Sequence, residues 1–392
     1  MAVSIAKTEY FTSGSISFSQ IRDAFGGIGG TTNNVKFSNY KRNTDIAAEN
    51  PFVPDATENA NISTNNDLRV EDFRGSIKEY NLIQTGNEKN IDLGTTDFDT
   101  TYWNGNLNKN IIKKFEVQGN VYSDDVADAA LDVEGDFLNL DVEVKDGAGI
   151  FGAGGNGETA STSAQDGGTA LYIDNTRTNI PDGDNGKLGI ILNPNSIIAA
   201  GGGGGALGNP GNDGKKIQCY NQSINTVTGN SDGGTNSCQA GGCPSGFNSL
   251  GCNGSNQRSR CRGGGTRSSD AGYKCYSTWT RTCRKLTPFD VQGSGGNGGA
   301  GGKGQGFGSP ATEGIDGNDG NSQTCNYNRT TSTGNDGNPG KDGALFGLGV
   351  QGGGGKGSAI LGKKVGGDKG YKIVSTYNSI NNIKGKLTDE ED

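Results

Sequence analysis

The chain has 392 residues, of which 71 are glycine, nine are proline and none is histidine, with 30% apolar side chains and a formal charge of −8. So little apolar material argues against one large hydrophobic core, and the acidic balance argues against nucleic-acid binding as the role of the whole chain. Without histidine, Ser-His-Asp and Cys-His nucleophilic catalysis are excluded, and nothing singles out one catalytic pair among the 43 acids, so no enzyme and no cofactor or metal site is expected.

The first residues, "MAVSIAKTEYFTSGS", carry neither a basic n-region nor an apolar h-region, and no later run approaches a membrane span. A soluble chain without a secretion signal and without membrane insertion is expected. Residues 1–76 hold a weak internal repeat: "ISFSQIR" at 16–22, "VKFSNYK" at 35–41 and "LRVEDFR" at 68–74. In the first copy Ser19 is placed to cap a helical turn and Gly26 to end it. The copies read as small docking modules joined by polar linkers such as 43–66.

From 77 to 145 the pattern is that of strands. In "LNLDVEV", Leu138, Leu140, Val142 and Val144 alternate with polar residues, as a strand with one buried face requires. "IKEYNLIQ" and "KKFEVQGNVY" are less regular relatives. An antiparallel β domain is the economical reading, with "WNGNLNKN" at 103–110 as a connecting loop.

Residues 146–392 form a glycine-rich region. Glycine recurs every third residue at 149–155, 202–214, 293–302, 314–320 and 334–343. Collagen fails as an explanation, because its triplets are long and rich in proline. A spacing of three is the polyproline-II period, and such helices must satisfy N–H and C=O laterally when buried; glycine alone allows backbones to close on several sides. The expectation is a set of packed polyproline-II-like helices, so the fold class is mainly β with that glycine domain appended. "DGDNG" at 182–186 has the start of a calcium loop, but its twelfth position is Asn193, which makes it a turn.

All eight cysteines, Cys219, Cys238, Cys243, Cys252, Cys261, Cys275, Cys283 and Cys325, fall within 219–325. No C-x-x-C is present, which disfavours zinc and favours disulfides, with the pairing left open. The same insertion carries eight basic side chains between 258 and 285 against Asp270 alone. Arg258, Arg260, Arg262, Arg267, Lys274 and Arg281 interleave with Tyr273, Tyr276 and Trp279, and these are the candidate receptor-binding residues. Guanidinium forks bind carboxylate or phosphate, and exposed aromatic rings stack on sugars. A solvated basic loop that neutralises acidic neighbours accounts for the same residues.

The order "AL…IDN", "SIIAAGGGGGA", "GSGGNGGAGGKGQGFGSPATEG" and "GGGGKGSAILG…INNIKGKL" resembles the glycine-rich tail-fibre-tip adhesins of tailed bacteriophages. "SGSISFSQIRDAFGG" is similar to a segment at the start of many virion structural proteins of marine phages. The resemblance implies a virion tail protein, extracellular after lysis, whose loops meet a host glycan, lipopolysaccharide or outer-membrane protein. It also implies attachment to other tail proteins through the N-terminal region, with a homotrimer among the admissible assemblies. The alternative is a purely structural virion component in the baseplate, fibre or capsid decoration.

Overall fold

A computed structural model describes residues 2–26, 36–45, 52–175, 188–232, 243–255, 276–326, 329–346, 358–363, 372–375, 383–384 and 386–390. The protein is mainly β and separates into two compact units. The first comprises 1–209, 298–317 and 338–392, and the second comprises 210–297 and 318–337.

The three copies of the N-terminal repeat fold alike. Each begins a helical turn at its third residue: an α-helix Phe18–Phe25 and 3₁₀ turns Phe37–Tyr40 and Val70–Phe73. In each, the fifth residue reaches back to the backbone N–H of the second. Ser17 N–H donates to Gln20 Oε1 (2.8 Å), Lys36 N–H to Asn39 Oδ1 (2.8 Å) and Arg69 N–H to Asp72 Oδ2 (3.0 Å). This is half of a capping box, and it satisfies a donor that the helix start leaves orphaned. The cap of the first copy is therefore Ser17, not Ser19, because only position 17 stands three residues before Gln20. Gly26 ends that helix at a positive φ of 70°.

The sixth residue of each copy, Ile21, Tyr40 and Phe73, is fully buried in one shared cluster with Phe25, Val53 and Ile62. The copies are thus one small core rather than separate modules. Where it is described, the stretch taken for a linker at 43–66 is packed as well. Asn59 is buried, donates to the carbonyls of Pro54 and Ile77 (both 2.9 Å), and accepts from Ile77 N–H (2.9 Å).

The strands that follow wind into a three-sided parallel solenoid. Its first turn consists of Glu79–Gln84, Asn87–Lys89 and Ile91–Asp92, its second of Ile112–Val117, Asn120–Tyr122 and Leu131–Gly135, and its third of Leu140–Val144, Gly149–Phe151 and Leu171–Asn175. A fourth turn uses Leu188–Leu192, Ile197–Ala199 and Ser358–Lys363, and a fifth Lys372–Ser375, Ile383–Lys384 and Lys386–Glu390. Like positions stack from turn to turn. Leu82, Phe115, Val142 and Ile190 form one inward row in direct register, and Gln84, Val117, Val144 and Leu192 form another. These rows are buried and continuous with Val121, Ile150 and Ile198 on the second side and with Leu131 and Leu171 on the third. At one corner Gly119 lies so close to Gly86 that a Cβ there would overlap the Gly86 carbonyl.

The expected antiparallel domain at 77–145 is corrected by this arrangement. Among the described residues of the solenoid, the antiparallel pairing is Val3–Ile5 on Glu79–Gln84; the turns themselves pair in parallel. Alternation reports a single buried face and is silent on strand direction. The boundary drawn at 145 falls inside the third turn, and Gly149, grouped with the glycine period, belongs to a strand.

The "WNGNLNKN" stretch connects the first and second turns, as its loop character implies, yet it is tightly held. Trp103 is fully buried. Asn106 accepts from Thr57 N–H (2.7 Å) and donates to Glu58 (2.9 Å), while Asn110 accepts from Asp55 N–H (2.5 Å) and donates to the carbonyls of Asn43 and Asp45 (2.8 and 2.9 Å). Amide side chains pair with backbone on both edges at once, so they tie the N-terminal core to the solenoid. Burial alone raises the Glu58 carboxyl, but hydrogen bonds from Lys7, Asn106 and Asn104 overcome that and hold it below the usual carboxylate range.

One corner, between the second and third strand of a turn, carries insertions that lengthen along the chain. That corner holds residues 123–130 in the second turn, 152–170 in the third and 200–357 in the fourth. Both sides of the corner stay in register, so the chain between them grows without disturbing the stack.

Candidate functional site

The glycine runs occupy these insertions, and their backbones bond sideways every three residues. In the first unit Gly205 N–H donates to the Gly302 carbonyl, Gly208 to Gly299 and Gly302 to Lys341, each at 2.8 Å. Gly301 donates to Glu158 (2.8 Å) and Gly340 to Ile315 (2.9 Å). A Cβ at Gly205 would sit on the Lys341 carbonyl, so no other residue fits. Acidic side chains finish the edges: Asp342 Oδ1 accepts from Gly314 N–H (3.0 Å) and Glu158 Oε2 from Leu207 N–H (3.0 Å).

The second unit repeats this arrangement within itself. Gly211 donates to Gly296, Gly214 to Gly293, Gly296 to Asn335 and Gly337 to Asn318, all at 2.8 Å. Asp213 and Asp336 close its edges on Gly295 and Gly320 N–H (2.9 and 2.8 Å).

The same unit carries the cysteine-rich insertion. Two sixteen-residue strands, Ile217–Asp232 and Tyr276–Val291, pair antiparallel along their whole length, and Asn248–Ser255 pairs with the second of them. Among the described side chains of this sheet few are buried; Cys219 and Cys283 are, while Ile224 and Phe289 are exposed. Cross-links stand in for the missing core. Cys219 joins Cys325 (Cα–Cα 5.4 Å) and Cys243 joins Cys283 (Cα–Cα 5.7 Å), closing 106 and 40 residues. Loops of those lengths correspond to roughly 5 and 4 kcal/mol of chain entropy removed from the unfolded state.

The candidate receptor residues divide sharply. Arg258, Arg260, Arg262, Arg267, Tyr273 and Lys274 lie outside the described residues, as do Cys238, Cys261, Cys275 and the "DGDNG" stretch at 182–186. Tyr276, Trp279 and Arg281 lie on the long strand, where Tyr276 stands opposite Asp232 and Trp279 opposite Gly229 and Gly254. Arg281 stands opposite Val227 and Cys252 and is half-buried.

Alternation puts Arg281, Cys283 and Lys285 on one face of that strand. Lys285 is exposed, with its ammonium 6.0 Å from the centre of the Phe247 ring. Arg284 stands opposite Ile224 and Asn248. The residue list drawn from sequence stops at Arg281 and omits Arg284, Lys285 and Phe247. The strand pattern around Cys283, two residues after Arg281 and two before Lys285, is the signal that finds them. Asn193, which broke the calcium-loop pattern, instead donates to Glu143 Oε1 (2.8 Å) on the solenoid's outer face.

No helix among the described residues is long and apolar enough to cross a membrane. No curated protein matches the chain. Among solved structures, the crystal structure of the gp37-gp38 adhesin tip complex of the bacteriophage S16 long tail fiber is similar over 82% of this chain and 87% of that chain, at 13% identity and a TM-score of 0.25. The family model described as phage tail fibre adhesin Gp38 matches residues 79–282, from the first solenoid strand into the strand that bears Arg281. That match spans more than half of the sequence and ends within the cross-linked insertion, and the chain therefore belongs to the phage tail fibre adhesin Gp38 family.

Proposed function

We propose that this tail-fibre adhesin meets its host through the cross-linked insertion of the second unit and joins other virion tail proteins through residues 1–76. One observation carries the reading: a sheet in which few of the described side chains are buried is stapled by two disulfides and presents Arg281, Arg284 and Lys285 on a strand that also bears Tyr276 and Trp279. A loop ordered beforehand loses less entropy on binding. Guanidinium and ammonium groups beside aromatic residues suit an anionic surface glycan or a lipopolysaccharide phosphate. An outer-membrane protein with acidic loops presents the same chemistry.

The glycine runs serve this site as stiff supports. Their three-residue lateral bonding supports packed polyproline-II-like helices, which resist bending because every turn is tied to its neighbours. Residues 1–76 suit attachment because their small aromatic core is bound by buried asparagines to the first solenoid corner.

Adsorption of the full-length protein to host cells tests the assignment. Triple replacement of Arg281, Arg284 and Lys285 by alanine, or Arg260, Arg262 and Trp279 by alanine, is expected to reduce binding about tenfold or more, as hot-spot truncations do. Thermal unfolding of the solenoid should be unchanged. Mild reduction of the disulfides should have the same effect on adsorption. Undiminished binding in all three cases places the receptor surface elsewhere, first of all in the glycine-flanking stretches 156–168 and 305–333.

A further inference from the structure

The outer face of the solenoid's third side carries an arrangement that lies apart from the proposed receptor-binding residues. Register sets Asp92 of the first turn directly opposite Asp132 of the second, and Tyr172 of the third follows in the same row. The next row holds Glu134, Asp174, Lys363 and Glu390. Like charges directly across a strand pair destabilise it. Among the described residues no ion pair relieves Asp92 or Asp132. Lys89, just before this segment, is committed to Asp124 (2.6 Å).

The Asp132 Oδ1 atom is buried and has no hydrogen-bond partner, as does Asp174 Oδ1. An open recess of about 410 Å³, lined by Asn90, Asp92, Asp128, Asp132, Thr169 and Tyr172, adjoins the row. It gives the carboxyl a route for proton exchange with solvent.

The pairing under this strain is the shortest in the first three turns' third side. The strand is only Ile91–Asp92, held by Ile91 N–H to the Ala130 carbonyl (3.0 Å) and Leu93 N–H to the Asp132 carbonyl (2.8 Å). We propose that Asp132 is a proton-operated latch: protonated, it keeps segment 90–93 on the strand Leu131–Gly135; ionised, it repels Asp92 and lets that segment open. Burial first, and then the charges of Asp92, Glu134, Asp174 and Asp128, push the Asp132 carboxyl up to about 7. Tyr172 faces the recess without adding charge near neutrality, and Lys363 stands by register beside Asp174 rather than Asp132. A carboxyl that ionises less readily when the segment is shut favours the open form as pH rises from about 4 to about 7, and the effect is then complete.

Hydrogen exchange on the full-length protein between pH 4 and 8, corrected for the intrinsic rate, reads the latch directly. Protection of the Ile91 and Leu93 amides should fall about tenfold or more across that range, with most of the loss below pH 7. The amide of Lys145, bonded to Val117 on another side, serves as the reference. Asp132→Asn should flatten the dependence at Ile91 and Leu93. Asp92→Asn should move the fall to lower pH, because it removes the charge that opposes ionisation. A flat profile in the wild type, or an equal fall in Asp132→Asn, overturns the proposal. Should Asp132→Asn not fold, a fall in Asp92→Asn at the wild-type pH overturns it equally.

Discussion

The solenoid and the glycine runs solve one problem by opposite means. In the solenoid, rows such as Leu82, Phe115, Val142 and Ile190 bury side chains against one another, and backbone bonds run between successive turns. In the glycine runs the side chain is absent and the backbone itself is the packed surface, with Gly205 bonded to Gly302 and Gly302 in turn to Lys341. Loss of an atom from the first region leaves a cavity that its neighbours fill only in part, at a cost graded with its size. The second tolerates no gain: a Cβ at Gly205, for example, would overlap the Lys341 carbonyl, which already accepts from Gly302 N–H.

The largest expected effect follows from that asymmetry. Gly205→Val should destabilise the first unit by more than about 4 kcal/mol, beyond the ordinary range for a single substitution. Gly205→Ala should be severe too, since the clash begins at Cβ. Ile190→Val, which removes one buried methylene from the solenoid, should reduce stability by only about 1 kcal/mol. Denaturant unfolding followed by circular dichroism measures all three. Equal losses for Gly205→Val and Ile190→Val would show that the glycine runs are loose linkers and end the comparison.

The same contrast explains what could be seen in sequence. A row of isoleucines and valines announces a buried face whatever the direction of its partner, so the strands around 77–145 were legible and their parallel winding was not. Parallel neighbours come from the next turn; Leu140 pairs with Leu188, and the intervening chain includes a glycine excursion at 152–170. Glycine period three was legible as lateral bonding because its runs are too short and too poor in proline for collagen. The cysteines pointed to disulfides, and two are present among the described residues, but the pairing depends on which strands meet. Arg284 and Lys285 count in the basic run of 258–285 but stand outside the candidate receptor residues, whereas the strand continues through them to Val291. The repeat at 16–74 was legible in its polar fifth position and buried sixth, though the cap was assigned two residues late.

A second comparison lies within the solenoid, between the charge rows on two of its sides. Whereas no ion pair among the described residues relieves Asp92 or Asp132, the first side carries a balanced set: Lys145 meets Glu143 (2.7 Å) and Glu116 (3.4 Å), and Lys114 meets Glu143 (3.1 Å). Burial raises the Glu143 carboxyl, but hydrogen bonds from Lys145, Asn193 and Lys114 reverse this and bring it to about 2. A carboxyl lowered in the folded state stabilises the fold above its unfolded value of about 4.5, and that contribution is lost as pH falls towards 2. Wild-type melting should therefore drop on acidification over that interval by the equivalent of about 1–3 kcal/mol. Glu143→Gln should lose that part of the slope while being less stable at pH 7. An unchanged acid slope in Glu143→Gln would mean the set is screened and contributes nothing. The two sides thus respond to protons with opposite sign, one losing stability below about pH 4.5 and the other above about pH 4.

The smallest effect concerns the N-terminal repeat, where the three copies make one bond with three different acceptors. Gln20, Asn39 and Asp72 each take the N–H of the residue three before them, and each precedes a fully buried side chain. If the bond is the common element, replacing any of the three by alanine should reduce the stability of the region by about 1 kcal/mol, the usual size of a lost cap. The losses should depart from additivity, because the three turns deliver side chains to one shared core. Asp72→Asn should retain most of the bond, since the amide oxygen still accepts, and lose only the charged contribution at the start of the turn. Limited proteolysis with a protease that cuts within 1–76 gives a local readout of this opening, separate from unfolding of the solenoid. A strong effect at Gln20 with none at Asn39 or Asp72 would mean that the α-helix Phe18–Phe25 alone needs its cap, and that the likeness of the three copies lies in the buried Ile21, Tyr40 and Phe73 rather than in the turns that deliver them.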